Sequence, residues 1–267
     1  MLQKVQPSQR ETVLKILRAD PARSMFILGD IEQNGLHTDY QTTWIDIDDE
    51  VIHAIYLKYH GNFVFYLVDQ QADPQILIQL LQEIKPENIN AVKEHFGLML
   101  PVLKAFVSYR ETYLCDCPKL NATVEAGEVR KATADDAEKI AASLVKITEF
   151  NAEKIDEEER AKRSRQRYEE GKIRGYLIEK DHQVVAYAQT SVETSSSAMV
   201  TSVFCLPEYR GQGYAKQVVW KLTDDCLRHG LLPCLFYDNP SAGRIYHGLG
   251  YTTFDTWVMA KVTGDIR

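Results

Sequence analysis

Cys205-Leu206-Pro207-Glu208-Tyr209-Arg210-Gly211-Gln212-Gly213-Tyr214-Ala215-Lys216 decides the reading of this chain: a β-branched run upstream, a proline stop and a glycine-rich turn lead straight into a helix. The amides of Gly211, Gln212, Gly213, Tyr214 and Ala215 precede or open that helix. Its first N–H groups have no intrahelical partner, so they can point at phosphate oxygens, and the helix dipole adds attraction. Without a Cβ, Gly211 and Gly213 accept positive φ and let a pyrophosphate approach the main chain closely. Arg210 stands at the mouth, where a guanidinium adds charge-assisted hydrogen bonds to a phosphate or pins the loop.

Two other phosphate loops are excluded. The dinucleotide fingerprint needs a small residue where Lys216 stands, and the G-K-[ST] of a P-loop occurs nowhere in the chain. What remains is Arg-x-x-Gly-x-Ala, which taken alone is also an ordinary tight connection.

The residues downstream add weight. Gly213 to His229 reads as a helix with Ala215, Val218, Val219, Leu222 and Cys226 on one face, and Leu231 to Tyr237 as a short buried strand. Asp238-Asn239-Pro240-Ser241 breaks that strand and opens a helix from Ala242 to Leu249, closed by Gly250. Tyr246 falls near the inward face formed by Ala242, Ile245 and Leu249.

With these elements in this order the sequence resembles the GNAT superfamily of N-acetyltransferases. The resemblance rests on the strand Val200 to Leu206, the loop Arg210 to Ala215, Asn239, and Tyr246 followed by Leu249-Gly250-Tyr251. Upstream, Val129 to Asp136 resembles the first strand and first helix cap of that fold. It covers roughly residues 127 to 267. It implies an α/β (α+β) fold, the acyl-CoA N-acyltransferase fold, with a mixed, mostly antiparallel sheet flanked by helices.

The resemblance also implies roles. The main chain of Val203, Phe204 and Cys205 would pair with the amide-rich arm of acetyl-CoA, a co-substrate, beside a β-bulge that opens the sheet. Arg210, Gly211, Gln212, Gly213, Tyr214, Ala215 and Lys216 would hold the pyrophosphate, and Asn239 the cofactor arm. Tyr246 would protonate the departing thiolate. The chemistry is consistent: acyl transfer to an amine needs a polarising donor, a proton source for sulfur and a proton acceptor for the amine, and a phenol stays protonated at neutral pH. A buried core tyrosine is the alternative reading of that residue.

The acceptor of the amine proton is harder to place, because neither Thr194 to Leu206 nor Leu231 to Tyr237 contains an acid. Glu193 is the nearest upstream carboxylate. A water relay, an amine arriving neutral, and Glu193 as a solvated strand-end charge all stay open.

At 267 residues two domains are expected. The expected division is a degenerate GNAT-like domain over 1–122 and a catalytic domain over 123–267, with Pro118 to Glu128 as linker. In the first half, Pro7 to Arg18 reads as a helix, Met25 to Ile31 as apolar, and Gln41 to Ile47 and Val51 to Leu57 as strands paired across an acidic turn. Asn62 to Val68 reads as a strand, Pro74 to Ile84 as a helix, Pro101 to Ala105 as apolar and Val107 to Leu114 as a strand. This succession echoes the second half, as in two-lobed members similar to glycine N-acyltransferases. The first half puts Asp69-Gln70-Gln71 where phosphate would sit, so it is expected to bind no CoA.

Five cysteines without disulfide-like spacing, no apolar leader and no long apolar run point to a cytoplasmic protein, with no metal site. The net charge of -7 argues against nucleic acid and mildly favours a cationic substrate. The expected partner is a small-molecule amine, without membrane or nucleic acid, and the chain is expected to be a monomer or homodimer. The arginines and lysines of 160–167 read as a solvated helix face, and Phe150, Asn151 and Tyr168 as liners of the acceptor pocket. Two other readings stay open: a non-catalytic acyl-CoA sensor, and a transferase brought to a protein amine by its first domain.

Overall fold

Asp49 and Glu50 both take positive φ, 43° and 68°, and close a two-residue hairpin between β2 (Gln41–Asp48) and β3 (Val51–Tyr59). Such turns match the twist of antiparallel strands, so the acidic run is a hairpin tip, as its composition suggests. The computed structural model describes residues 1–147 and 156–266.

Two successions of elements repeat along the described residues. The first is β1 (Leu2–Lys4), α1 (Arg10–Ala19), α2 (Met25–Asn34), β2, β3, β4 (Asn62–Leu67), α3 (Pro74–Ile84), β5 (Asn88–Val92), α4 (Lys93–Leu103) and β6 (Val107–Asp116). The second is β7 (Arg130–Lys131), α5 (Ala137–Leu144), α6 (Glu157–Glu169), β8 (Gly175–Lys180), β9 (Gln183–Glu193), β10 (Ser197–Cys205), α7 (Tyr214–Arg228), β11 (Leu232–Tyr237), α8 (Pro240–Leu249) and β12 (Thr252–Val262). Each has one parallel pair, β4 with β5 and β10 with β11, bridged by a helix. The other registered pairs are antiparallel, so the sheets are mixed and mostly antiparallel.

The chain divides into two compact units, Met1–Leu114 with Thr253–Arg267, and Cys115–Thr252. Both ends differ from the expected division at 122/123. The segment after β6 is tied to the second unit: the Cys117 N–H donates to the Pro233 carbonyl at 3.0 Å and the Asn121 N–H to Leu249 at 2.9 Å. The Trp220 indole N–H donates to the Ala122 carbonyl at 2.8 Å. The last strand belongs to the first unit instead, where β12 pairs β5 from Trp257↔Val92 to Lys261↔Asn88. There Arg23 Nε donates to Asp255 Oδ2 at 2.9 Å.

In the first unit the strands run β1-β2-β3-β4-β5-β12, with β6 beside β12. Val13, Leu14 and Leu17 of α1 are wholly buried, while Tyr56, Phe63, Phe65, Leu81 and Phe96 form the core under α3 and α4. Each such side chain contributes about 1.5–3 kcal/mol by leaving water. In the second unit the order is β11-β10-β9-β8-β7, with Val218, Val219, Leu222 and Cys226 of α7 packed on Leu177, Ile178 and Val200. None of the five cysteines is in a disulfide. Among the described residues no helix is long and apolar enough to cross a membrane.

Candidate functional site

The site is built on β10. Its antiparallel register with β9 slips between Thr201↔Gln189 and Phe204↔Tyr187, so Ser202 and Val203 stand opposite a single residue. Ser202 takes φ 51°, the left-handed region. A bulge of this kind bends its strand and aims it away from a neighbour. The parallel register with β11 runs from Ser197↔Leu232 to Val200↔Leu235 and ends there among the described residues. Val203, Phe204 and Cys205 therefore lie on the stretch beyond the end of that pairing.

The glycine-rich loop follows. Pro207–Tyr209 makes one 3-10 turn, and Gly211 and Gly213 take φ 81° and 80°. Gly213 is the N-cap of α7, and no side chain caps that helix. A Cβ built on either glycine meets nothing within 4 Å, so the main chain here faces open space. This is the cradle a diphosphate requires: uncapped N–H groups, a positive helix end and no side chain over them. Arg210 pins the loop, since its Nε donates to the Cys205 carbonyl at 3.1 Å. The Lys180 ammonium lies 5.8 Å from the centre of the Tyr214 ring. The residues present fit the diphosphate of a CoA.

The corresponding turn of the first unit is occupied by its own acids. Asp73 Oδ1 accepts the Gln75 N–H at 2.8 Å, and Asp69 Oδ1 accepts the Gln71 N–H at 2.8 Å. Asp46 Oδ2 accepts the N–H of Asp73 at 3.1 Å.

Asn239 caps α8, its Oδ1 accepting the Ser241 N–H at 2.9 Å. Its side-chain amide N–H groups are the part it can offer a ligand. Tyr246, two helical turns on, is buried, and burial, with Cys115 nearby, pushes its phenol up to about 12. Its ring packs on Tyr237, 5.8 Å between centroids, two residues past the last β10–β11 pair. Tyr246 is thus seated beside the parted strands. His247 has both ring nitrogens engaged: Nδ1 with the Tyr251 carbonyl at 3.0 Å, which makes it the donor, and Nε2 with the Tyr237 hydroxyl at 2.9 Å.

Glu193 is placed elsewhere. It pairs with Ala198 at the opposite end of β10 from Phe204, about 20 Å along the strand. Arg174 holds its carboxylate through two bonds, Nε to Oε1 at 2.8 Å and Nη2 to Oε2 at 2.9 Å, and Thr190 Oγ1 donates to it at 2.6 Å. The structure does not bring it together with Tyr246. Tyr168 meets the hydroxyl of Tyr187 at 2.5 Å, and Tyr187 donates to Gln189 Oε1 at 2.6 Å. Phe150 and Asn151 lie outside the described residues.

Sequence reasoning placed α6 at the acceptor pocket but missed Ser202, Gln189 and the inward-facing arginines of α6, which it read as solvated. With α5, these elements line a cavity of about 140 Å³ that reaches the bulge. The one available signal was the spacing of Arg160, Arg163 and Arg167, which share a helix face. Among the described residues no group of His, Cys, Asp and Glu is placed to hold a metal.

This geometry accords with what known proteins resemble the chain. It is similar to an acetyltransferase from the GNAT family of Colwellia psychrerythraea, at 14% identity over 98% of this chain and 100% of that one, TM-score 0.64. It is similar to a GCN5-related N-acetyltransferase from Sphaerobacter thermophilus, at 14% identity over 100% and 96%, TM-score 0.66. A tandem GNAT protein from the clavulanic acid biosynthesis pathway has 13% identity over 97% and 98%, TM-score 0.59. At such identities the likeness speaks for the fold. No curated protein matches the chain in sequence. The family model for GNAT acetyltransferases matches residues 103–259, more than half of the chain, and this stretch holds the bulged strand, the glycine loop, Asn239 and Tyr246. The chain belongs to the GNAT acetyltransferase family.

Proposed function

We propose that the second unit is an acetyl-CoA-dependent N-acetyltransferase that acts on a primary amine of a small molecule by direct attack. When bound, acetyl-CoA supplies the acetyl group as an activated thioester. The observation that carries the reading is the end of the β10–β11 register at Val200↔Leu235 beside the uncapped N-terminus of α7. Amides of Gln212 to Lys216 bind the diphosphate, and Arg210 keeps that loop against the end of β10. The strand edge at Val203 and Phe204 orients the pantetheine amides, as one β-strand orients another. The Asn239 amide donates to a carbonyl of the same arm.

Tyr246 is the proton source. As the new C–N bond forms and the C–S bond breaks, its hydroxyl gives a proton to the sulfur and recovers one from solvent. A phenol pushed up to about 12 remains protonated across the working range, which suits an acid and not a base. The amine loses its proton to water, since Glu193 is held in an ion pair at the far end of the strand.

A screen of small amines with acetyl-CoA, reading free thiol, tests the reading. Tyr246→Phe is expected to lower kcat about 100-fold while CoA affinity, read by calorimetry, stays within a factor of two. Undiminished turnover in that variant would remove the acid role. CoA binding without turnover of any amine would favour the sensor instead.

A further inference from the structure

The net charge of -7 suggested a cationic acceptor, but the cavity next to the bulge carries the opposite sign. Arg160, Arg163 and Arg167 of α6 line it, with Ser164 between them and Gln189 and Ser202 at the bulged end. Its other wall is apolar, from Ile140 and Leu144 of α5, and among the described residues no acidic side chain lines it. Local charge, not net charge, sets what a cleft attracts.

Arg167 is the important member. It is half-buried and, among the described residues, no carboxylate lies within ion-pair distance of it. Its Nη2 donates to the Ser191 carbonyl, which anchors the head and leaves most of its fork of N–H groups for another partner. Burial lowers its pKa, the mark of a guanidinium whose charge lacks full compensation. Arg163 has a carboxylate, Glu159, whose Oε1 accepts from Nε at 2.7 Å, and it stands at the exposed rim. Ser164 Oγ is buried with no hydrogen-bond partner among the described residues, a condition that buried hydroxyls rarely sustain without a ligand or water. At the other end Gln189 Nε2 donates to Ser202 Oγ at 3.3 Å, which seats that end on the bulge where the thioester of the proposed reaction would lie.

We propose that this cavity binds an anionic group of the acceptor, a carboxylate or phosphate, with Arg167 as its principal partner, so that the acceptor is an acid-bearing primary amine. The inference rests on the transferase reading for the amine. The anion site itself stands on the lining residues alone. A planar fork matches two oxygens of either group, and an amine at the bulge with its anion toward α6 spans the cavity from end to end.

The experiment has two arms on the whole chain. In the first, with saturating acetyl-CoA, kcat/KM is measured for matched pairs: α-amino acids against their carboxamides, and aminoalkyl phosphates against the corresponding amino alcohols. The acidic member of at least one pair type is expected to be favoured about tenfold or more, through KM, and which pair type responds separates carboxylate from phosphate. Arg167→Gln is expected to abolish that preference, and Arg167→Lys, which keeps the charge without the fork, to retain part of it. Equal kcat/KM within every pair, or a preference that survives Arg167→Gln, overturns the proposal.

The second arm needs no turnover. Calorimetry with N-acetylglycine and phosphoethanolamine is compared with N-acetylglycinamide and ethanolamine, in the presence and absence of CoA. At least a tenfold lower Kd for an acidic probe sustains the anion site even if no amine is acetylated, in which case the transferase reading falls alone. Equal Kd values with CoA bound normally sink the anion site and leave that reading intact. If Arg167→Gln does not fold, the wild-type pairs and Arg167→Lys still decide.

Discussion

Arg210 and Cys205 are joined across the turn between β10 and α7, the guanidinium Nε donating to the Cys205 carbonyl at 3.1 Å. The bond fixes the glycine loop to the strand whose edge we propose carries the ligand arm, so its loss frees the loop before it removes a charge. Arg210→Ala is expected to weaken CoA binding about five- to tenfold, the net value of one charge-assisted hydrogen bond. Arg210→Lys should not restore it, because a point-like ammonium lacks the in-plane Nε–H. Calorimetry with CoA checks both, and affinities unchanged from wild type would show that the loop holds its shape unaided.

Gly213 caps α7 at φ 80° with open space where a Cβ would stand. Gly213→Val places a β-branched residue in the left-handed region, at about 1–3 kcal/mol of strain, and roofs the amides proposed to meet the diphosphate. The expected result is a melting temperature lower by several degrees and CoA affinity reduced more than tenfold. Gly213→Asn tolerates the same φ and should lose less stability than Val. Equal CoA affinity in all three proteins would place the diphosphate elsewhere.

The sequence reading reached furthest where signals are local. α3 spans Pro74–Ile84, as expected, because Pro74 opens it, Asp73 caps it, and Leu77, Leu80 and Leu81 share its buried face. α7 and α8 were legible for the same reasons, glycine or asparagine at the cap and apolar residues at helical spacing. β5 and the start of α4 were missed. Asn88-Ile89-Asn90-Ala91-Val92 is short, and Pro101 looks like a helix breaker although it sits within the last turn of α4. The bulge at Ser202 had no local mark, because a register slip is a relation between two strands. Arg167 looked solvated, since no periodicity reveals that α5 and β9 cover one side of α6. The assignment of β12 to the first unit was equally hidden, because pairing with β5 is a contact over more than 160 residues of sequence.

Glu193 provides a direct test of where the amine proton goes. Its carboxylate and the Arg174 guanidinium form a two-point ion pair with both partners largely buried. Arg174 also reaches Asp225 at 3.0 Å. Removing one member of such a pair leaves a partly uncompensated charge, so Glu193→Gln is expected to destabilise by about 1–3 kcal/mol. kcat at the pH optimum should stay within about threefold of wild type, because the residue stands far along the strand from Phe204. A 100-fold loss of kcat in a protein that melts normally would restore Glu193 as the base.

His95 makes the first unit sensitive to acid. It is buried against Tyr66, its Nδ1 accepts the Leu67 N–H at 3.3 Å, and burial, with Arg23 nearby, lowers its pKa from 6.5 to about 4. Between these values the unfolded chain binds a proton that the folded chain refuses. The associated stability is complete above pH 6.5 and is lost as pH falls toward 4, about 3 kcal/mol in all. His95→Gln keeps an acceptor for Leu67 without a titrating ring. Its melting temperature is expected to fall less than that of wild type between pH 7 and pH 4.5. Parallel curves for the two proteins would refute the assignment.

The two repeats make opposite predictions for the same coenzyme. In the second, the amides that open α7 have no side-chain cap and face open space. In the first, the β4–α3 turn is closed on itself: Asp73 takes the Gln75 N–H, Asp69 takes that of Gln71, and Asp46 holds the N–H of Asp73. A diphosphate there would meet three carboxylates as well as amides already paired, and at short range like-charge repulsion exceeds what a helix end can offer. Calorimetry is therefore expected to give one CoA per chain. Asp73→Ala should cost about 1 kcal/mol as a lost helix cap, seen as a lower melting temperature, with the stoichiometry still one. Two CoA molecules per wild-type chain, or binding that survives Gly213→Val and vanishes with changes around Asp73, would assign the coenzyme to the first repeat.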